Sequence, residues 1–304
     1  MLRSAQHDVC LMIVHLVDGT YELFRHFYGL RRAKNGDPPF GAVRGVLHMT
    51  LEMIEKGATH IGVATDHVIE SFRNALWPGY KTGAGIERAL LAQFHPLEEA
   101  LTAMGVVVWP MIELEADDAL ASAAALSSVD QSVEKICIWT PDKDLAQCVI
   151  GERVVQVDRK SGKIRDAAGV QQKFGVMPPS IPDYLALVGD TADGYPGIPG
   201  FGAKSAAAVL ARFGHIEAIP SDSSDWHANI FRSGRLAATL IEQRDRALLF
   251  RTLARLRDDA PLFDRVDSLR WTGSTRFFAD YAKHIEAPEL IERAERAATL
   301  VGAA

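Results

Sequence analysis

Five short runs rich in β-branched and apolar residues recur in the first half of the chain: Val9 to Val17, His60 to Ala64, Val106 to Trp109, Ile136 to Trp139 and Val154 to Val157. Their length and composition predict buried strands. Between the first two, Val43, Val46, Leu47, Leu51 and Ile54 recur at helical spacing up to Gly57 in the C-cap position. Leu114 to Leu126 predicts a second amphipathic helix, rich in alanine, which leads through a polar stretch to Ile136. Strands alternating with helices predict an α/β fold, a mostly parallel central sheet with helices on both faces. After about Gly175 the strand signal ends, and helical segments are separated by proline and glycine clusters at Met177 to Pro182 and Tyr195 to Gly202. The expected division is therefore 1–175 and 176–304.

Length agrees with two domains, since 304 residues is about twice a common domain size of roughly 150. With 48% apolar and 24% charged residues the chain has the composition of an ordinary folded protein. Its net charge of -6 excludes a strongly basic binder. Cys10, Cys137 and Cys148 have no CxxC spacing and cannot all pair, which suits a reducing compartment and argues against zinc. The run Val9 to Val17 is too short to span a bilayer and no small-residue cleavage pattern follows it, so the expected location is the cytoplasm. Residues 221–304 carry 13 basic and 13 acidic side chains and read as packing helices, not as a cationic arm.

The acids change the picture. In an open parallel sheet, ligands bind beyond the carboxyl ends of the strands. Asp18 follows the first predicted strand, Asp66 the second, and Asp142 and Asp144 the fourth, while Glu115, Asp117 and Asp118 open the helix after the third. Asp190 and Asp193 form a further pair at a spacing of three. Singly, each has an ordinary explanation: an Asp after a strand is commonly a turn or N-cap residue, and Lys143 could be a solvated neighbour of its two acids. Nine acids on one rim without matching Lys or Arg would repel one another unless a multivalent cation neutralised them. Oxygen donors alone point to magnesium or manganese. Removing these nine charges from a net -6 leaves +3 on the rest of the chain, which suits a polyanionic substrate.

Gly197-Ile198-Pro199-Gly200-Phe201-Gly202-Ala203-Lys204-Ser205 places three glycines before an alanine-rich helix. Small residues let backbone N–H groups approach a phosphate, and the helix N-terminus favours it electrostatically. Ala203 separates Gly202 from Lys204 and no strand precedes the turn, so a nucleoside triphosphate loop is not expected. A plain helix-connecting turn is the alternative.

Taken in order, five segments resemble the 5'-nuclease family: the 5' to 3' exonuclease domain of bacterial DNA polymerase I, phage 5' exonucleases and flap endonucleases. They are Val17-Asp18-Gly19-Thr20; Asp66 with Ser71-Phe72-Arg73 and Trp77-Pro78-Gly79-Tyr80-Lys81; Glu115-Ala116-Asp117-Asp118; Thr140-Pro141-Asp142-Lys143-Asp144-Leu145; and Val188 to Asp193 continuing through Gly197 to Lys204. The resemblance runs from about Val14 to Ile219 and is weak over the last 85 or so residues.

It implies a PIN-like core with a helical arch at about 70–100, and a helix-three-turn-helix DNA-binding module at about 182–214. It implies two divalent metal sites, with Asp18, Asp66, Glu115 and Asp117 toward one and Asp142, Asp144, Asp190 and Asp193 toward the other, Asp118 supporting. Lys81 and Arg73 match the cations that contact the scissile phosphate. Tyr80 and the hairpin residues Gly197, Gly200, Gly202 and Lys204 match DNA contacts, with a potassium ion at the hairpin. The expected activity is that of a stand-alone, monomeric, divalent-metal-dependent 5' to 3' exonuclease and flap endonuclease. Its substrates would be DNA with a free 5' end, flap or nick, and RNA/DNA hybrid. A junction-binding protein with weak catalysis and a PIN-like ribonuclease are the alternatives. Two departures stand out: Thr82-Gly83-Ala84 supplies no cation where the family commonly has Arg, and Thr65 replaces a hydrophobic residue before Asp66.

Overall fold

A computed structural model describes residues 12–34, 38–226, 230 and 232–302. Six strands form one sheet: β1 (Met12–Asp18), β2 (His60–Asp66), β3 (Val107–Met111), β4 (Val133–Trp139), β5 (Val154–Asp158) and β6 (Lys163–Arg165). Their order is β3-β2-β1-β4-β5-β6, parallel except for the antiparallel edge strand β6. All five expected strands are present. The part of the first expectation at Val9 to Leu11, and Cys10, lie outside the described residues.

The helices are α1 (Gly19–Lys34), α2 (Gly41–Glu55), α3 (Arg73–Leu76), α4 (Arg88–Leu91), α5 (Phe94–Ala103), α6 (Ala116–Ser128), α7 (Ala167–Phe174), α8 (Ile181–Val188), α9 (Ala203–Phe213), α10 (Ser233–Glu242), α11 (Arg244–Ala254), α12 (Phe278–His284) and α13 (Glu289–Gly302). Strand alternation sorts the core. Val14 and Leu16 of β1 meet the alanine face of α6, where small side chains permit close approach, while Val17 packs with Val43, Leu47 and Leu51 of α2 and with α5 on the other face. A third apolar cluster joins α8, α9, α10 and α11.

The segment 70–100, expected as a helical arch, carries the short helices α3 and α4 and the start of α5. One expectation about organisation is corrected: the last helices do not pack with the rest of 176–304. Trp271, Phe278, Ile285 and Leu290 are buried with α2 and α5, so the chain returns to the sheet domain after α11. Their apolar faces already have a partner there. No helix among the described residues is long and apolar enough to cross a membrane.

Candidate active site

Parallel pairing of β2, β1 and β4 brings the carboxyl ends of three strands to one rim, and local backbone chemistry then fixes each acid. Asp18 Oδ1 accepts the Tyr21 N–H at 2.8 Å, capping α1, and Oδ2 accepts the Thr140 hydroxyl at 3.1 Å. Asp66 Oδ1 accepts the Ala116 N–H at the start of α6, and its own N–H donates to Thr20. Asp142 and Asp190 each accept the N–H two residues on, Asp144 and Ala192 respectively. These are the turn and cap geometries that an isolated Asp adopts. Here one oxygen of each residue does that local work while the carboxylate as a whole stays on the rim.

Asp144, Asp190 and Asp193 place one oxygen apiece within 4.8 Å of one another, and all three are buried. Asp144 Oδ1 is buried with no hydrogen-bond partner. With Asp117, Asp142, Lys143 and Lys173 they line a cavity of about 270 Å³. Burial, then repulsion from Asp142, Asp193 and Asp190, raises the Asp144 pKa well above the ordinary carboxylate range. Asp117 is raised by burial and then by Asp142, Asp18 and Asp144. Asp18 is pushed up to about 7 by burial, with Asp66 and Asp142 adding repulsion against the opposing bonds from Tyr21 and Thr140. Asp66 and Asp193 rise as well, each chiefly through burial. Carboxylates so confined hold unpaired charge at a cost that a cation relieves. An all-oxygen donor set with an unpartnered buried oxygen fits a hard divalent ion.

The expectation that the acids lack matching cations is corrected. Lys81 Nζ bridges Glu115 Oε2 at 2.7 Å and Asp193 Oδ1 at 3.1 Å, and Lys143 Nζ pairs with Asp190 Oδ2 at 2.7 Å. Lys81 is held protonated: burial opposes its charge, but Asp193 and Glu115 outweigh it. Glu115 is likewise held ionised, because Lys81 and Arg73 overcome the effect of burial. Lys143, read from sequence as a possible solvated neighbour, is therefore a part of the site; its position between two acids of one loop was the available signal.

Arg73 is corrected. It is 1% exposed, and all five of its N–H donors are used. Nε donates to the Leu253 carbonyl, Nη1 to Glu115 and Asp118, and Nη2 to Asp118 and the Arg255 carbonyl, at 2.7–3.0 Å. It ties the rim to the end of α11 and has no donor left for a phosphate. Asp118 is no ligand candidate either, since its oxygens accept from Arg73 and from the Glu115 and Arg257 N–H groups. Tyr80 is buried beneath Lys81, and its hydroxyl donates to Glu115 at 3.3 Å, so it positions the rim and does not face solvent.

The segment bearing Lys81 is docked onto the acid loop. Lys81 N–H donates to the Asp193 carbonyl and Trp77 Nε1 to the Gly194 carbonyl. Gly194, at φ +82°, lies so close to Gly79 that a Cβ would overlap the Gly79 carbonyl oxygen. Within the hairpin, Gly200, Gly202 and Lys204 are exposed and line a shallow cavity of about 530 Å³. Gly197 is not on that surface. It is buried against Gly189, where a side chain would strike backbone, so its role is to close the turn that carries Asp190 and Asp193.

The protein thus joins an α/β core with an acidic rim to a helical domain entered through a glycine-rich hairpin. Two models of one family cover the chain in sequence: the 5'-3' exonuclease N-terminal resolvase-like domain matches residues 13–175, and the 5'-3' exonuclease C-terminal SAM fold matches 176–276. The chain belongs to the 5'-3' exonuclease family, whose members are hydrolytic nucleases. It is 30% identical to a 5'-3' exonuclease of Buchnera aphidicola subsp. Acyrthosiphon pisum over 254 residues, 82% of this chain and 88% of that protein. It is 34% identical over 259 residues to DNA polymerase I of Pseudomonas aeruginosa, covering 84% of this chain but only 28% of that longer protein. Among solved structures, T5 5'-exonuclease with bound zinc shares the fold at a TM-score of 0.64 and 17% identity, over 95% of this chain and 99% of that one. The catalytic core of Rad2 in complex with DNA substrate does so at 0.62 and 14%, over 95% and 93%.

Proposed function

We propose that this chain hydrolyses phosphodiester bonds near free 5' ends, flaps and nicks of DNA, and accepts RNA/DNA hybrid, as a monomer in the cytoplasm. The observation that carries the reading is the buried convergence of Asp144, Asp190 and Asp193, one oxygen unpartnered, beside two lysines. Asp144, Asp190, Asp193 and Asp142 would hold one part of a divalent metal centre, magnesium or manganese by the donor chemistry, and Asp18 and Asp66 the adjoining part. Asp117, expected from the resemblance beside Asp18 and Asp66, lines the cavity of the first group as well. Such ions supply Lewis-acid polarisation of water and phosphate when bound. Glu115, already committed to Arg73, Ser71, Tyr80 and Lys81, acts by holding Lys81 in place.

Lys81 is the cation best placed to neutralise charge on the phosphoryl oxygens, because it is kept charged and is partly exposed. Lys143, paired with Asp190, would be a second, compensating for the arch cation missing at Thr82-Gly83-Ala84. The exposed Gly200, Gly202 and Lys204 would grip duplex backbone, with a potassium ion at the hairpin part of the same proposal.

A 5'-labelled flap, its RNA counterpart and a blunt duplex, each incubated with magnesium or EDTA, test this directly. Magnesium-dependent cleavage of the DNA flap is expected, abolished in Asp142→Ala and Asp190→Ala with DNA binding retained. Binding without cleavage by the unaltered protein would indicate a junction binder, and cleavage confined to RNA a ribonuclease.

A further inference from the structure

Around Asp66, at the end of β2 and the start of α5, four side chains form a connected array. Thr65 is buried at the end of β2 and donates its hydroxyl to Glu98 Oε1 at 2.8 Å. His67 Nδ1 donates to Glu98 Oε2, also at 2.8 Å. Glu98, on α5, is itself buried, with one oxygen held by Thr65 and the other fixing the His67 imidazole. The half-exposed His67 ring then stacks on His95, in the first turn of α5, with centroids 4.2 Å apart and planes within 6°. His95 is exposed. One face of its ring rests on His67, and the residue is otherwise exposed.

This gives Thr65 a purpose that an apolar residue could not serve. A hydroxyl buried at a strand end is kept only where it has a partner, and here that partner carries a rigid aromatic surface to the rim. The location matters as much as the chemistry. In the strand order β3-β2-β1-β4, α5 packs on β2 and β3, whereas α8, which leads into Asp190 and Asp193, packs on the turn at Asp144 to Cys148 after β4. Asp66 and the Asp190/Asp193 pair therefore approach the rim from opposite sides of β1. A strand held at the Gly200 to Lys204 turn and laid across the acids would leave on the β2 side, which carries His67 directly after Asp66.

We propose that the His67–His95 stack is a platform for a nucleobase in the unpaired 5' portion of the substrate, resting on the nuclease reading above for the direction of the strand. The contact is indifferent to sequence, because every base presents a π-face. His95 is the contacting residue; His67, Glu98 and Thr65 position it.

The test compares the unaltered protein, His95→Ala and His95→Phe on two flap oligonucleotides, one with ordinary bases beyond the junction and one abasic there, by fluorescence anisotropy in EDTA. His95→Ala is expected to weaken binding of the base-bearing flap about five- to tenfold, the lower end of base–aromatic stacking, and to leave the abasic flap unchanged; His95→Phe should restore affinity. Equal losses on both flaps, or no loss on either, would overturn the platform. Adding magnesium separates the two readings. Base-dependent binding without cleavage removes the nuclease assignment and keeps the platform, whereas cleavage without base dependence does the reverse.

Discussion

Replacing Arg73 with Met preserves much of the stem volume and removes a guanidinium whose five donors serve two carboxylates and two carbonyls. Asp118 would lose the bidentate partner of a fully buried carboxylate, and Glu115 one of its two cations. Breaking a buried ion pair from one side costs about 3–5 kcal/mol, because the remaining charge is stranded. Against a total stability of about 5–15 kcal/mol that is a large share. At roughly 2–4 °C per kcal/mol for a chain of this order, the melting temperature should fall by roughly 6–20 °C. Urea unfolding followed by tryptophan fluorescence measures the loss, and anisotropy on a flap oligonucleotide at low temperature measures binding by the folded fraction. The expected result is a much less stable protein whose folded fraction binds DNA normally. A variant within about 1 kcal/mol of the parent but devoid of cleavage would refute the structural role and return Arg73 to the phosphate.

Acid crowding makes stability depend on pH in a direction fixed by its sign. The folded pKa of Asp18, about 7, exceeds its unfolded value of 3.8, so the native state binds the extra proton between those values and stability falls as pH rises from about 4 to 7. This one group is worth at most about 4 kcal/mol, and Asp117 and Asp144 shift the same way. Calorimetry of the metal-free protein should show the melting temperature falling from pH 5 to pH 8, and manganese should raise it more at pH 8 than at pH 5; a rise with pH would contradict the crowding. Gly194→Ala forces a Cβ into the Gly79 carbonyl at positive φ and should cost about 2–4 kcal/mol while undocking Trp77, visible as a fluorescence shift without denaturant.

Much of the fold is written in periodicity. The four inner strands β2, β1, β4 and β5 are apolar because both faces of the sheet are covered, so continuous runs such as Ile136 to Trp139 announce themselves. The edge strand β3 keeps an apolar Val-Val-Trp run although it is only partly buried. The other edge strand, β6, is only Lys-Ile-Arg at 163–165, two of the three exposed, and carries no such run. Helices α12 and α13 were legible as helices but not as part of the sheet domain, since amphipathicity tells that a face is covered and not by what. At the site, the acids were legible because chemistry needs their type and strand ends fix their place. Their partners were not. Whether Arg73 points at solvent or into the protein is decided by Asp118 and by carbonyls some 180 residues away at Leu253 and Arg255. Lys143 gained its role from Asp190, a contact made only when α8 docks beside the loop after β4. The same holds for Thr65, whose partner Glu98 comes from another element.

Everything rests on the acids around Asp144 forming a place for a divalent cation. Crystals soaked in manganese and measured at the metal's absorption edge test that most directly. The account predicts an anomalous peak among Asp144, Asp190 and Asp193 that disappears in Asp144→Asn together with cleavage. A soaked crystal with no peak in that cavity, from protein that still cleaves a flap in manganese, would contradict it.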